Sequence, residues 1–387
     1  MTVALPDDRL RVALITASLD VGGSERQMVQ LAERLPRDRF ALEFILLSGR
    51  GPLADRVERA GVPVTVLHWR RGRSVTDRLP DLWRLVRTLR RGRFDIVDAW
   101  LFHAYAIASL TRPVSRIPVL IAGRRSLSDF KDRFSRAERW LDRLARRRVD
   151  AVVANSDAVR REVAAYEGID PGRIRVIHNG VDIPAPIPPA VRGALRAAWG
   201  VGPGDVLVGC VGNYKFGKGQ EVLIRAIAKA LPTSPALRLI LVGEGPRRAE
   251  LQRLVDELGV HDAVRLHGAE PDARDIIGAF DIAAQASVSE GLPNAVLEAA
   301  AAGLPIVATD AGGTAEILDQ GRVGILVPID DEAAMADAIA RLAADPDLRR
   351  SLGESARIFV ETAFGLDRFV AETASLYEEL AAAKGSR

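Results

Sequence analysis

Apolar runs alternate with amphipathic stretches along the whole chain. RVALITA, ALEFILL, VPVTVL, FDIVDA, PVLIAG, AVVANS and RIRVIH recur in the first half; VLVGCVG, LRLILVG, AVRLHG, DIAAQA and LPIVATD recur in the second. Runs this short and this apolar, bounded by Gly, Pro and polar residues, are of buried-strand type. Segments with helical spacing separate most of them. Strands alternating with helices predict parallel sheets covered on both faces. A length of 387 residues exceeds one usual domain, so two doubly wound domains are expected.

The most informative stretch is SEGLPNAVLEAAAAGLPIVATDAGGTAE, from Ser289 to Glu316. Pro293 and Gly303 bracket NAVLEAAAA as Pro at a helix start and Gly past its end. Strong helix formers fill the space between them. A strand-like run follows, then Gly312-Gly313, then Thr314, which suits a further helix cap. Two carboxylates frame the first helix: Glu290 in the loop before it and Glu298 in its second turn. The unpaired amides of a helix start suit a phosphate, and carboxylates accept protons from hydroxyls. A ligand with both phosphate and sugar hydroxyls satisfies the set. A buried α/β unit with two surface glutamates fits the same spacing.

Charge changes the picture of the first half. Residues 1–182 hold 34 Lys and Arg against 23 Asp and Glu, an excess of 11; the remainder hold 20 against 28, a deficit of 8, which together give the net +3. An anionic partner for the first half is expected. Arginines concentrate from Arg70 to Arg93 and from Arg124 to Arg148. In RFSRAERWLDRLARRR, the residues Phe134, Ala137, Trp140, Leu141, Leu144 and Ala145 recur at helical spacing with arginines on the other face. Such a helix suits an anionic membrane surface; a helix docked on its own domain has the same pattern. Aromatics are sparse and no nucleic-acid motif occurs, so nucleic acid is not an expected partner. No run reaches the length of a membrane span, and MTVALPDDRLRVALI does not have the form of a secretory signal. The lone Cys210 excludes a disulfide framework and reads as a packed core residue.

Candidate chemistry gathers where strands end. After the first strand, Gly22-Gly23 with Glu25 forms a turn before a helix, the place where α/β folds bind ligands. It lacks the Gly-x-Gly-x-x-Gly pattern of a nicotinamide site. His103 follows FDIVDAW in the loop LFHAYA. Arg124 and Arg125 end the next strand and could meet an anionic acceptor. IPAPIPPA reads as an interdomain linker, because its prolines preclude helix and central strand. In the second half, Gly212-Asn213-Tyr214-Lys215-Phe216-Gly217-Lys218 fits the phosphate-cradling Gly-x4-Gly-Lys. Gly219 stands where that motif needs Ser or Thr for magnesium. No acidic Walker-B strand accompanies it, which argues against an NTPase.

EGLPNAVLEAAAAGLPIVATDAGGTAEI resembles the Glu-x7-Glu region of family 4 glycosyltransferases, retaining enzymes with the GT-B fold. The likeness runs through Glu290, Asn294, Glu298, the Gly-x-Pro and the Gly-Gly-x-x-Glu, and it extends over nearly the whole chain. It implies two Rossmann-like domains facing across a cleft. Residues 1–183 would bind the acceptor, residues 190–365 the nucleotide sugar, and a final helix, 366–387, would pack back on the first domain. It implies Glu290, His103 and Lys218 at the catalytic centre. It implies a donor site of Gly22, Gly23, Asn213, Lys215, Lys218, Gly243, Leu292, Asn294 and Glu298, with Glu25 beside Arg124 and Arg125 on the acceptor side. Many members carry arginine where Asn213 stands; Lys215 is the substitute charge. Asn155-Ser156 and His178-Asn179-Gly180-Val181-Asp182 resemble family landmarks of structural kind. The resemblance further implies a UDP- or GDP-sugar as co-substrate, a glycan or lipid-linked acceptor, and no cofactor or tightly held metal. The single cysteine points to a reducing, cytoplasmic compartment, and the basic first half suits a peripheral place on the inner face of the plasma membrane. Three alternatives stay open: an epimerase or phosphorylase of the same fold, a P-loop NTPase, and a non-catalytic subunit of a polysaccharide assembly.

Overall fold

Side chains on the first strand enter two different cores. Along β1 (Leu10–Thr16), Val12 and Leu14 join one cluster while Ala13 and Ile15 join another, because successive residues of a strand point to opposite faces. A sheet buried on both faces needs apolar residues at every position, hence the near-continuous runs. β1 shares one sheet with β2 (Phe40–Leu46), β3 (Val64–Val66), β4 (Ile96–Trp100), β5 (Val119–Arg124), β6 (Ala151–Ala154) and β7 (Ile174–Val176), and β4 lies at its centre. The order is β3-β2-β1-β4-β5-β6-β7, and every pairing is parallel.

The second sheet repeats the plan. It comprises β8 (Val206–Val211), β9 (Leu237–Val242), β10 (Val264–Gly268), β11 (Ile282–Gln285), β12 (Ile306–Thr309) and β13 (Ile325–Val327), ordered β10-β9-β8-β11-β12-β13 and parallel throughout. Val208, Cys210, Leu239, Leu241 and Val307 face one core; Leu207, Ile240, Val242, Ile306 and Ala308 face the other. Burial pushes the Cys210 thiol up to about 12, as expected of a packed core cysteine.

The computed structural model describes residues 8–69, 79–127, 136–270 and 272–385. Two compact units divide the chain. The first runs to Gly180 and resumes at Leu366; the second is Val181–Gly365. Helix Leu366–Ala383 belongs to the first unit, where Leu366, Phe369, Leu376 and Tyr377 enter the core beside Phe40 and Phe44. Gly180 lies against this helix, and a Cβ there would stand 2.8 Å from both the Leu366 Cα and the Phe369 Cβ. The proline-rich stretch is part of the second unit. Ile187 packs on that core, and Pro189 opens helix Pro189–Ala198 as its first residue, a position that needs no N–H. Among the described residues no helix is long and apolar enough to cross a membrane.

One expected helix face is only partly buried: Ala145 of the apolar stripe is buried and Leu144 half-buried, but Trp140 and Leu141 turn outward. In helix Arg136–Arg146, Trp140 is 61% exposed and Leu141 39%, whereas Asp142 and Ala145 are buried. The Tyr105 hydroxyl donates to Asp142 Oδ1, and Ser109 Oγ donates to the Ala145 carbonyl at 2.6 Å. These bonds set the helix rotation in place of the apolar stripe. Phe134 and the arginines Arg70 to Arg78 lie outside the described residues.

Candidate active site

Two loops of the second unit meet at the carboxyl ends of β8 and β11. The first, Gly212–Gly219, leads into helix Gln220–Ala230; the second, Ala286–Pro293, leads into helix Asn294–Ala301. Glycine makes the meeting possible. Gly219 has φ +66°, and a Cβ there would fall 1.9 Å from the Ala286 carbonyl oxygen. Gly312, at φ +57°, gives way in the same manner to the Glu290 carbonyl oxygen, 1.7 Å from where its Cβ would stand. Both conformations favour a residue without a side chain. The Val288 N–H donates to the Gly217 carbonyl at 2.9 Å and the Gly313 N–H to the Gly291 carbonyl at 3.0 Å. Beneath the first loop the buried Tyr214 hydroxyl donates to the Leu241 carbonyl at 2.7 Å.

This clearance brings Lys218 to Glu290. Lys218 Nζ lies 2.6 Å from Glu290 Oε1, with the lysine side chain 34% exposed and the glutamate 11%. Gln285 Nε2 and Ser287 Oγ each donate to the same oxygen at 2.7 Å. Gln285 ends β11 and is buried, as is Ser287. The amide must turn its NH2 to the carboxylate, since its carbonyl there would oppose like charge. Both residues were missed in the sequence. The signal available was a glutamine set in the apolar run IAAQA.

The remaining expected donor residues of this unit share the neighbourhood. Asn213 and Lys215 are exposed on the Lys218 loop, and Lys215 makes no ion pair among the described residues. Gly243 follows β9, its N–H donating to the Gly268 carbonyl at 2.7 Å. Asn294 begins its helix and Glu298 lies in the second turn, both half-buried. Leu292 departs from expectation in its side chain, which is 4% exposed and sits in the core, so only its backbone is left to face a ligand. Two helices present their amide ends here, each carrying partial positive charge. A lysine, two such ends and a carboxylate with an oxygen to spare suit an anionic group joined to a hydroxyl-bearing one.

In the first unit, Gly22 precedes helix Gly23–Arg34 and the Glu25 carboxylate folds back over it, 2.2 Å from where a Gly22 Cβ would be. His103 is exposed in the first turn of helix Phe102–Ser115, its ring edge-to-face with Phe102 at 5.5 Å. Arg124 and Arg125 depart from expectation, being 6% and 9% exposed. Arg124 is bonded to Glu167 at 3.3 and 3.2 Å and stacks 3.9 Å over Tyr105. Arg125 donates to Asn179 Oδ1 at 3.1 Å and lies 3.5 Å over Trp100. Burial pushes the Arg125 guanidinium down to about 10 and the neighbouring Asp98 carboxyl up; Tyr377 donates to that carboxylate at 2.7 Å. Both arginines hold the unit together internally instead of lining a surface for an acceptor.

Two family models cover most of the chain. Residues 21–184 match Glycosyltransferase Family 4, and residues 205–345 match Glycosyl transferases group 1. The lipopolysaccharide core biosynthesis mannosyltransferase LpcC of Rhizobium leguminosarum bv. viciae is 30% identical over 334 residues, which are 83% of this chain and 89% of that protein. The chain belongs to the family 4 glycosyltransferases. This glycosyltransferase is also 36% identical, over 214 residues, to the D-inositol 3-phosphate glycosyltransferase of Nocardia farcinica; the match is 53% of the chain and spans about half, 47%, of that protein. In fold it is similar to HepE of Anabaena, solved in complex with UDP and glucose, with a TM-score of 0.84 at 24% identity over 96% of this chain and all of the other. The family 4 glycosyltransferase therefore has the GT-B fold.

Proposed function

We propose that the protein transfers a glycosyl group from a nucleotide-diphosphate sugar to a hydroxyl of a glycan or lipid-linked acceptor, with retention at the anomeric carbon. The Lys218–Glu290 pair at the carboxyl ends of β8 and β11 carries the proposal. Family membership supports it, as do the names of relatives: LpcC is a mannosyltransferase, and HepE was solved with UDP and glucose. Breaking the anomeric C–O bond leaves growing negative charge on the departing diphosphate. Fixed donors aimed at that charge lower the barrier. Lys218 and the amide end of helix Asn294–Ala301 supply them, with Lys215 as a second cation. Pro293 contributes no N–H. Glu290 accepts protons from donor-sugar hydroxyls and Glu298 from the ribose. In the first unit, His103 and the Gly22-Gly23 turn with Glu25 are the groups assigned to the substrate. No part in this scheme falls to a resident metal.

A thermal-shift panel of UDP-, GDP- and ADP-sugars on the full chain tests the proposal, followed by NMR of the product anomer with and without EDTA. One sugar nucleotide is expected to raise Tm, and the transferred sugar is expected to keep its configuration in EDTA. If none of the panel shifts Tm, the proposal fails; an epimerised nucleotide sugar in the product mixture gives the site to the epimerase alternative.

A further inference from the structure

Three hydrogen bonds converge on one oxygen of Glu290. Lys218 Nζ at 2.6 Å, Gln285 Nε2 at 2.7 Å and Ser287 Oγ at 2.7 Å all reach Oε1. Among the described residues nothing reaches Oε2. A carboxylate oxygen has about two lone-pair sites, so Oε1 is already saturated within the protein. From this asymmetry we infer that Gln285 and Ser287 are positioning residues. They fix the rotation of the carboxylate and leave Oε2 alone to the hydroxyls of the donor sugar. The inference rests on the assignment of Glu290 to the donor sugar made above.

The surroundings are built for holding rather than for filling space. Ser287 is 1% exposed and Gln285 9%. A buried hydroxyl and amide cost free energy unless bonded, and an apolar residue would pack at the end of β11 without that cost. Gln285 Nε2 also donates to Ser287 Oγ at 3.0 Å, so the two hold each other. The backbone of Ser287 is itself fixed, because Thr309 Oγ1 donates to its carbonyl at 2.5 Å. Neighbouring Val288 is tied to the Lys218 loop through the Gly217 carbonyl. The carboxylate is therefore oriented by two strands and a loop.

The chemistry of the donor follows. One oxygen accepting protons fits a sugar that presents a single hydroxyl or a vicinal pair to one point. Lys218 has three N–H groups. One is on Oε1, and two remain for diphosphate oxygens, so the same lysine ties the sugar-binding carboxylate to the leaving group.

Isothermal titration of the full chain separates positioning from mere packing. The probes are UDP, UDP-glucose, GDP and GDP-mannose, applied to the wild type, Ser287→Ala and Gln285→Met. Positioning predicts that each variant binds the free nucleotide within about twofold of wild type and loses about tenfold on the matching sugar nucleotide, the scale of one hydrogen bond to a charged group. Equal loss on nucleotide and sugar nucleotide, or loss on neither, overturns the inference while leaving the proposed function standing. A wild-type protein that binds none of the four probes, and neither ADP nor an ADP-sugar, overturns the proposed function, and the inference with it. Should one variant not fold, the other decides alone.

Discussion

The carboxyl ends of the two sheets carry comparable charge and treat it in opposite ways. At β8 and β11, Lys218 and Glu290 come together on loops cleared by Gly219 and Gly312, and the lysine remains 34% exposed. At β5, Arg124 and Arg125 turn inward and are sealed by Glu167, Tyr105, Trp100 and Asn179. A charge at a strand end is thus no site by itself. What separates the cases is where the partner stands. Among the described residues Glu290 keeps one oxygen unbonded, whereas Glu167 has a fully buried side chain with Arg124 and Arg146 on it.

Removing one charge from each region breaks the comparison most directly. Arg124→Ala leaves Glu167 ionised in a dry interior, an arrangement that costs about 3–5 kcal/mol. The lower end is expected, because Arg146 Nη1 still lies 3.8 Å from Glu167. Urea unfolding should show that loss, and sugar-nucleotide affinity of the folded fraction should be unchanged. A loss of donor affinity with stability intact would return Arg124 to the binding surface. Lys218→Ala should behave in reverse. Removal of one fixed donor facing developing charge lowers kcat by about 10²–10³, with the urea midpoint unmoved. Intact turnover in this variant would remove the diphosphate role from the lysine.

The same contrast explains what could be read from the sequence. β1 to β12 are visible as apolar runs, because a sheet covered on both faces leaves no polar positions to blur them. β13 is only Ile325–Val327, too short to stand out between Gly324 and Pro328. The glycine-bordered lysine and the two glutamates are legible because backbone clearance leaves its mark as glycine at fixed spacing. Arg124 and Arg125 mislead because their partners Glu167 and Asn179 are 43 and 54 residues away. Helix Arg136–Arg146 misleads for a related reason: Asp142 is bonded to Tyr105, 37 residues away, and a helical wheel shows no such partner. Gln285 and Ser287 escaped notice because a polar residue at a strand end, or in the loop after it, is ordinary until a carboxylate is seen between them.

Glu298 lies between the two extremes and gives the finest test. It is half-buried in the second turn of helix Asn294–Ala301. Arg274 is held above its ordinary value first by its hydrogen bonds to Asp272 and then, against burial, by the charges of Asp272 and Glu298. Glu298 therefore has a cationic neighbour, as Glu167 has, and a place beside the donor loops, as Glu290 has. If its role is to accept protons from a ribose, Glu298→Gln should raise the donor KM about tenfold with kcat within about twofold, the signature of binding shared by ground and transition states. The discriminating control is the nucleotide itself. The variant's penalty should shrink on the 2′-deoxy or 3′-deoxy form of whichever nucleotide binds, since the hydroxyl it served is gone. A penalty of the same size on ribo and deoxy forms would mean that Glu298 acts through Arg274 and the helix, and would place it with Glu167 on the structural side of the comparison.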